Sequence, residues 1–361
     1  MNAERLHMVA RAVADELASF DLVDLVGRLR SSLEALANNP SDAGAQQQVS
    51  GARNQLAGLA GAPSNTWPPT DRQILDELGI SDILGERLLG RIEDILGRNE
   101  ITPSVARDEI APIHDRLTEV AHGLSQLLDG LAFFGISQDD LADEFEVGVA
   151  IPRGAVKNKL PELGEELVEL QRILAPFEEL AGEGRPDFEV RAIASSDFSV
   201  FLLAAPGIVL VLAQALNAIV DTYQKILDIK RVRTEMANLV PEDKLSEIDA
   251  HANSVMAEKL AELADELVAS SGLDDGRKNE LRVEVKWSLN RIANRIDGGY
   301  SIDIRAPEPP EEPGVEEGGE DSEAARERAR LLAIREFAAT IRRLETPGKR
   351  ILQLPESSDA S

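Results

Sequence analysis

Between Phe198 and Val220 an acidic chain carries FSVFLLAAPGIVLVLAQALNAIV, an apolar run broken only by Ser199, Pro206, Gly207, Gln214 and Asn217. At roughly 25 cal/mol per Å² of exposed apolar surface, such a stretch must leave water. Whether it enters a protein core or a bilayer sets the class of the molecule. A hydropathy window admits it as a membrane span, and Lys225, Lys230, Arg231 and Arg233 follow like a positive flank. Two features point to a core instead. Pro206-Gly207 splits the run and leaves about 14 apolar helical residues where a bilayer needs about 20. Gln214 and Asn217 would be unpaired in lipid, whereas a core edge offers hydrogen-bond partners. The reading is a strand entering a long buried helix, with a membrane-acting segment as the alternative.

The rest of the core must be aliphatic. Aromatics are 4% of 361 residues, against 43% hydrophobic residues in all, so Leu, Ile, Val and Ala carry the packing. That favours helices over a large β-sandwich. A net charge of -27 sets phosphate against the mean field, which excludes nucleic acid as a partner of the whole chain and disfavours anionic lipid. Without cysteine there is no disulfide and no thiolate chemistry. The opening MNAERLHMVARAVADEL reads as an amphipathic helix rather than a secretory signal, so a cytoplasmic location is expected.

Periodicity divides the chain. Residues 1–135 repeat apolar positions at three- and four-residue steps, as in Leu22, Leu25, Leu29, Leu33 and Leu36, and read as a helical region with a Pro- and Gly-rich linker at about 61–70. Residues 136–305 read as an α+β domain. Phe145, Val147 and Val149, then Phe188, Val190 and Ala192, then Phe198 to Leu203, and finally Tyr300, Ile302 and Ile304 mark strands. The helix between the first two strands is long enough for a parallel crossover, so a small mixed sheet packed by long helices is expected. Residues 306–321 form an acidic Pro/Gly/Glu linker with the composition of disorder, and 322–361 a basic amphipathic helix with a tail. The fold class is predominantly helical α+β.

Chemistry-bearing motifs are absent. The four histidines are scattered, and no phosphate loop, GxSxG or SxxK occurs. No cofactor and no metal are expected. Paired carboxylates such as Glu165-Glu166 and Glu178-Glu179 read as solvated helix faces. Arg153 after the first strand and Ser195, Ser196 and Asp197 between the next two lie where strand ends meet turns, a place that suits an anionic ligand; a turn closed by its own side chains is the plainer reading.

Two basic surfaces remain in this acidic chain. In Asp274 to Asp297, Arg291 and Arg295 share one helix face, as do Asn290 and Asn294, with Trp287 nearby. They suit an acidic partner or phosphate, or salt bridges to neighbouring acidic helices. From Arg326 to Arg350 there are eight basic and three acidic residues, with Arg328, Arg335 and Arg342 spaced by seven beside an apolar stripe containing Phe337 and Ile341. Such a tethered helix docks either on a partner or on its own body. The expected function is that of a non-enzymatic interaction or scaffold protein, acting through protein partners or self-association. A small-molecule α+β domain and a membrane-acting protein are the alternatives.

Overall fold

The computed structural model describes residues 3–136, 144–182, 188–194, 198–236, 242–307, 309, 323–341 and 350–356. The chain forms two compact units, Met1–Trp67 with Asp71–Asp140, and Pro68–Thr70 with Leu141–Ser361.

The first unit is helical: α1 (Ala3–Ser19), α2 (Leu22–Asn38), α3 (Ala43–Leu56), α4 (Pro69–Leu78) from Asp71 onward, α5 (Gly85–Arg98) and α6 (Pro103–Phe133). The expected leucine stripe of α2 is buried, together with Leu88 and Ile92 of α5 and Ile110, Ile113 and Leu117 of α6. Most of the stretch read as a linker is ordered, with 3-10 turns over Ala57–Gly61 and Pro63–Thr66. A buried carboxylate pins it. Glu16, 2% exposed, accepts from the Ser64 N–H (2.9 Å) and hydroxyl (2.8 Å) and from the Gly85 N–H that opens α5 (3.2 Å).

The second unit runs β1 (Glu146–Ile151), α7 (Leu160–Ala181), β2 (Glu189–Ala194), β3 (Phe198–Leu203), α8 (Pro206–Met236), α9 (Glu242–Ser270), α10 (Asp275–Asp297), β4 (Ser301–Arg305) and α11 (Glu323–Thr340). The predominantly helical α+β class holds. The sheet, however, is antiparallel rather than mixed, in the order β2-β3-β1-β4. Only three residues separate β2 from β3, enough for a hairpin and too few for a crossover, so β3 enters between β1 and β2. β1 and β2 do run in the same direction, but around β3, and β3 and β4 do so around β1. This is the connectivity of the split β-α-β arrangement called ferredoxin-like, with α8–α10 standing in place of its second helix. Connectivity of this kind carries no function by itself.

One face of β1, with Val147, Val149 and Ile151, joins the helical core. On the other face Glu146, 2% exposed, takes Arg191 of β2 (3.1 Å) and Arg305 of β4 (3.3 Å).

The apolar run is β3 followed by α8. Among the described residues α8 is the one helix long and apolar enough to cross a membrane, yet 61% of its most apolar window is buried in the protein. Ile208, Val209, Leu212, Leu216, Ile219 and Tyr223 all lie in the core of the second unit. Asn217 is hydrogen-bonded by the Thr340 hydroxyl of α11. The C-terminal helix thus lies against its own body, burying Leu331 and Ile334, and just beyond it Ile341, in the same core. Apart from Ala306, Pro307 and Pro309, the acidic 306–321 segment falls outside the described residues.

Candidate functional site

Helix α10 begins at Asp274, whose carboxylate accepts the Gly276 and Arg277 amides as an N-cap. Its inner stripe packs through Leu281, Val285, Leu289 and Ile292. Beside that stripe Trp287, Asn290, Asn294 and Asp297 recur at steps of three, four and three, which places them along one face. Asn290, Asn294 and Asp297 are buried at 5%, 8% and 2% exposure. Buried amides and carboxylates are costly unless hydrogen-bonded, so such a polar stripe requires partners.

The partner is the chain's own C-terminal segment, Arg350 to Glu356, in which Ile351, Leu352 and Leu354 are buried and Gln353 is exposed. It runs antiparallel to α10. Asp297 Oδ2 accepts the amides of Ile351 (2.8 Å) and Leu352 (2.9 Å). Asn294 accepts the Leu354 amide and donates to the Leu354 carbonyl, both at 3.1 Å. Asn290 donates to the Pro355 carbonyl (3.1 Å), while Trp287 Nε1 (2.8 Å) and Arg291 (3.0 Å) donate to that of Glu356. From α9, Asn253 donates to the Ile351 carbonyl (2.9 Å) and accepts the Gln353 amide (2.6 Å).

The match in length explains the register. Ten helical steps from Trp287 to Asp297 rise about 15 Å, and five extended steps from Ile351 to Glu356 span about 16 Å. Burying three aliphatic side chains contributes roughly 5–9 kcal/mol, while ordering seven backbone residues costs roughly 7–14 kcal/mol. The hydrogen bonds to the main chain therefore decide whether the segment stays bound.

Asp297 also reaches inward. Its Oδ1 accepts from Tyr223 (2.5 Å) and from Lys230 (2.8 Å), both on α8, and Lys230 is only 1% exposed. Burial, and then the Asp297 hydrogen bond, hold the Tyr223 phenol well above its ordinary value. Tyr300, just beyond α10, is pushed up to about 12 by burial first and the Glu166 charge next. Each Asp297 oxygen therefore has two donors, one pair in the core and one pair on the bound segment.

The other residues singled out from the sequence are placed as follows. Arg295 forms a two-pronged pair with Glu166 of α7 (2.7 and 3.2 Å), and Arg277 does the same with Glu179 at 2.5 Å for each bond. Arg291 pairs with Glu169 and lies 4.4 Å over the Trp287 ring. The basic stripe of α10 is thus largely engaged by acidic α7, and Glu166 and Glu179 are ion-paired rather than solvated. The pairing holds the Glu179 carboxyl below its ordinary range, through the Arg277 hydrogen bond above all.

Arg153 donates to Asn158 (3.0 Å) and lies 5.0 Å over the Phe198 ring; Ser195, Ser196 and Asp197 lie outside the described residues. On α11, Arg335 donates to the Pro307 carbonyl (3.0 Å), Arg328 is half-buried, Phe337 packs against the core, and Ile341 just past the helix is buried in it. Arg342 is outside the described residues. Among the described residues no three His, Asp or Glu side chains are grouped to hold a metal ion.

Sequence reasoning had marked Trp287, Asn290, Asn294 and Arg291 as a polar surface but missed Asp297, Asn253 and the segment they hold. ILQLPE is too short for a period, and its partners lie about 60 and 100 positions away. The available signal was two asparagines and an aspartate, Asn290, Asn294 and Asp297, at helical spacing with no charge partner in sequence. Comparison with protein-family models, curated proteins and solved structures found no match to this chain.

Proposed function

We propose that this chain is a non-enzymatic interaction protein whose working surface is the α9–α10 face, latched by its own segment 350–356. The observation that carries the reading is the nine hydrogen bonds from Trp287, Asn290, Arg291, Asn294, Asp297 and Asn253 to the main chain of that segment. Such contacts read the course of a peptide more than its side chains, which is how one surface takes an added segment. Eight residues separate Ile341 from Arg350, a tether short enough for an effective concentration in the mM range. A segment of modest intrinsic affinity would remain seated under those conditions and still be exchangeable.

The test replaces Leu352 and Leu354 by Asp in the full chain. The expected result is an unchanged far-UV spectrum, lost amide-exchange protection at residues 351–354, and capture of a labelled Arg350–Glu356 peptide with Kd of about 0.1 mM or tighter. Wild type should bind the same peptide at least about tenfold more weakly, because its own segment competes. Global unfolding of the variant would make the segment an ordinary part of the core and end the proposal. The milder Trp287→Phe, which removes one contact at Glu356, should lower amide-exchange protection at residues 351–354 alone, and protection lost throughout the second unit would likewise count against the proposal.

A further inference from the structure

Asn294 and Asn290 lie one helical turn apart, both buried, and treat adjacent residues of the bound segment differently. Asn294 uses both ends of its amide on Leu354. Asn290 donates to Pro355, but its Oδ1 is buried and accepts no hydrogen bond among the described residues. Turning the amide over gives no relief, because it would set Oδ1 against the Pro355 carbonyl and lose the bond already made. Proline brings neither an N–H nor a side-chain donor, so it cannot supply what Asn290 lacks. At the next position, Glu356 is favoured: its Oε1 accepts from Asn294 at 2.8 Å, and Arg291 lies 3.9 Å from Oε2.

Resting on the latch reading, we infer that the α9–α10 face is a receptor for an extended segment of another protein. That segment carries the pattern apolar, apolar, any, apolar, donor-bearing, acidic, and displaces the chain's own tail. The main-chain contacts accept any sequence of that course, the burial of Ile351, Leu352 and Leu354 sets the apolar spacing, and the unpaired Asn290 oxygen marks the position where the tail is the poorer ligand. A second copy of the chain does not answer this description, because its tail carries the same Pro355.

The experiment compares two labelled peptides, RILQLPE and RILQLQE, by fluorescence anisotropy with the full-length Leu352→Asp/Leu354→Asp protein. The glutamine peptide should bind about fivefold tighter or better, the lower end expected for pairing a buried acceptor. Adding Asn290→Ala to the protein should erase the preference, with both peptides weakened to the same Kd by loss of the carbonyl contact. Equal binding of the two peptides, or a preference that survives Asn290→Ala, would overturn the inference and leave the latch standing. Binding of neither peptide overturns both, and amide exchange in wild type then shows whether the segment is seated at all. Concentration-dependent dimers of wild type, together with equal peptide binding, would assign the face to a second copy instead.

Discussion

Four hydrogen bonds converge on the Asp297 side chain. A fully buried carboxylate persists only when its lone pairs are satisfied, and here two donors come from α8 and two from the tail. Tyr223 and Tyr300, the only tyrosines in the chain, both have phenols held above the ordinary value of 10.0. The sign of the pH effect follows. The unfolded phenols ionise near pH 10 while the folded ones keep their protons, so stability is fully present below about pH 10 and lost above it. The slope should be about 1.4 kcal/mol per pH unit for each tyrosine, with the Tyr300 share levelling off near pH 12. Tyr223→Phe should therefore halve the slope between pH 10 and 12. Urea unfolding across that range measures it, and an unchanged slope would refute the account.

At the scale of the element, α7 and α10 lie antiparallel, joined by Arg277–Glu179, Arg291–Glu169 and Arg295–Glu166. Arg295 and Glu166 have side chains only 12% and 17% exposed, so their two-pronged bond should matter more than an exposed pair such as Lys244–Glu247. Arg295→Met is expected to cost about 1–3 kcal/mol by chemical denaturation. A double-mutant cycle with Glu166→Gln should return a coupling of about 1 kcal/mol or more. Lys244→Met should change stability by less than about 1 kcal/mol, and equal costs for the two lysine and arginine variants would contradict the reading.

Elements are also where the sequence was most and least legible. Helices with long apolar stripes and the three alternating strands announced themselves, because periodicity is local. Pairing is not local. The insertion of β3 beside β1 follows from a three-residue link that periodicity does not weigh. The polar stripe of α10 was visible from residue 287 onward, but its ligand has no period and lies far along the chain. The apolar run was resolved by Pro206 and Asn217, one setting the helix start and the other meeting α11.

At the scale of the whole molecule, a net charge of -27 works against compaction through self-repulsion. The buried pairs, Lys230–Asp297 and Arg5–Asp71, are little affected by added ions, whereas repulsion between exposed carboxylates is screened beyond about 10 Å at 0.1 M salt. The melting temperature should therefore rise as NaCl is raised from about 10 to 300 mM. Differential scanning calorimetry in a buffer of constant pH decides it, and a falling melting temperature would mean that surface ion pairs outweigh repulsion.

The two-sided bonding of Asp297 has a mechanical consequence. One carboxylate grips a surface peptide with one oxygen and the interior of α8 with the other, so vacating the outer grip leaves a negative charge short of donors beside Lys230 and Tyr223. The packing of those two side chains must then readjust. Occupancy of an external groove is in this way registered at the centre of the fold, as a bell-pull outside a house moves a clapper within.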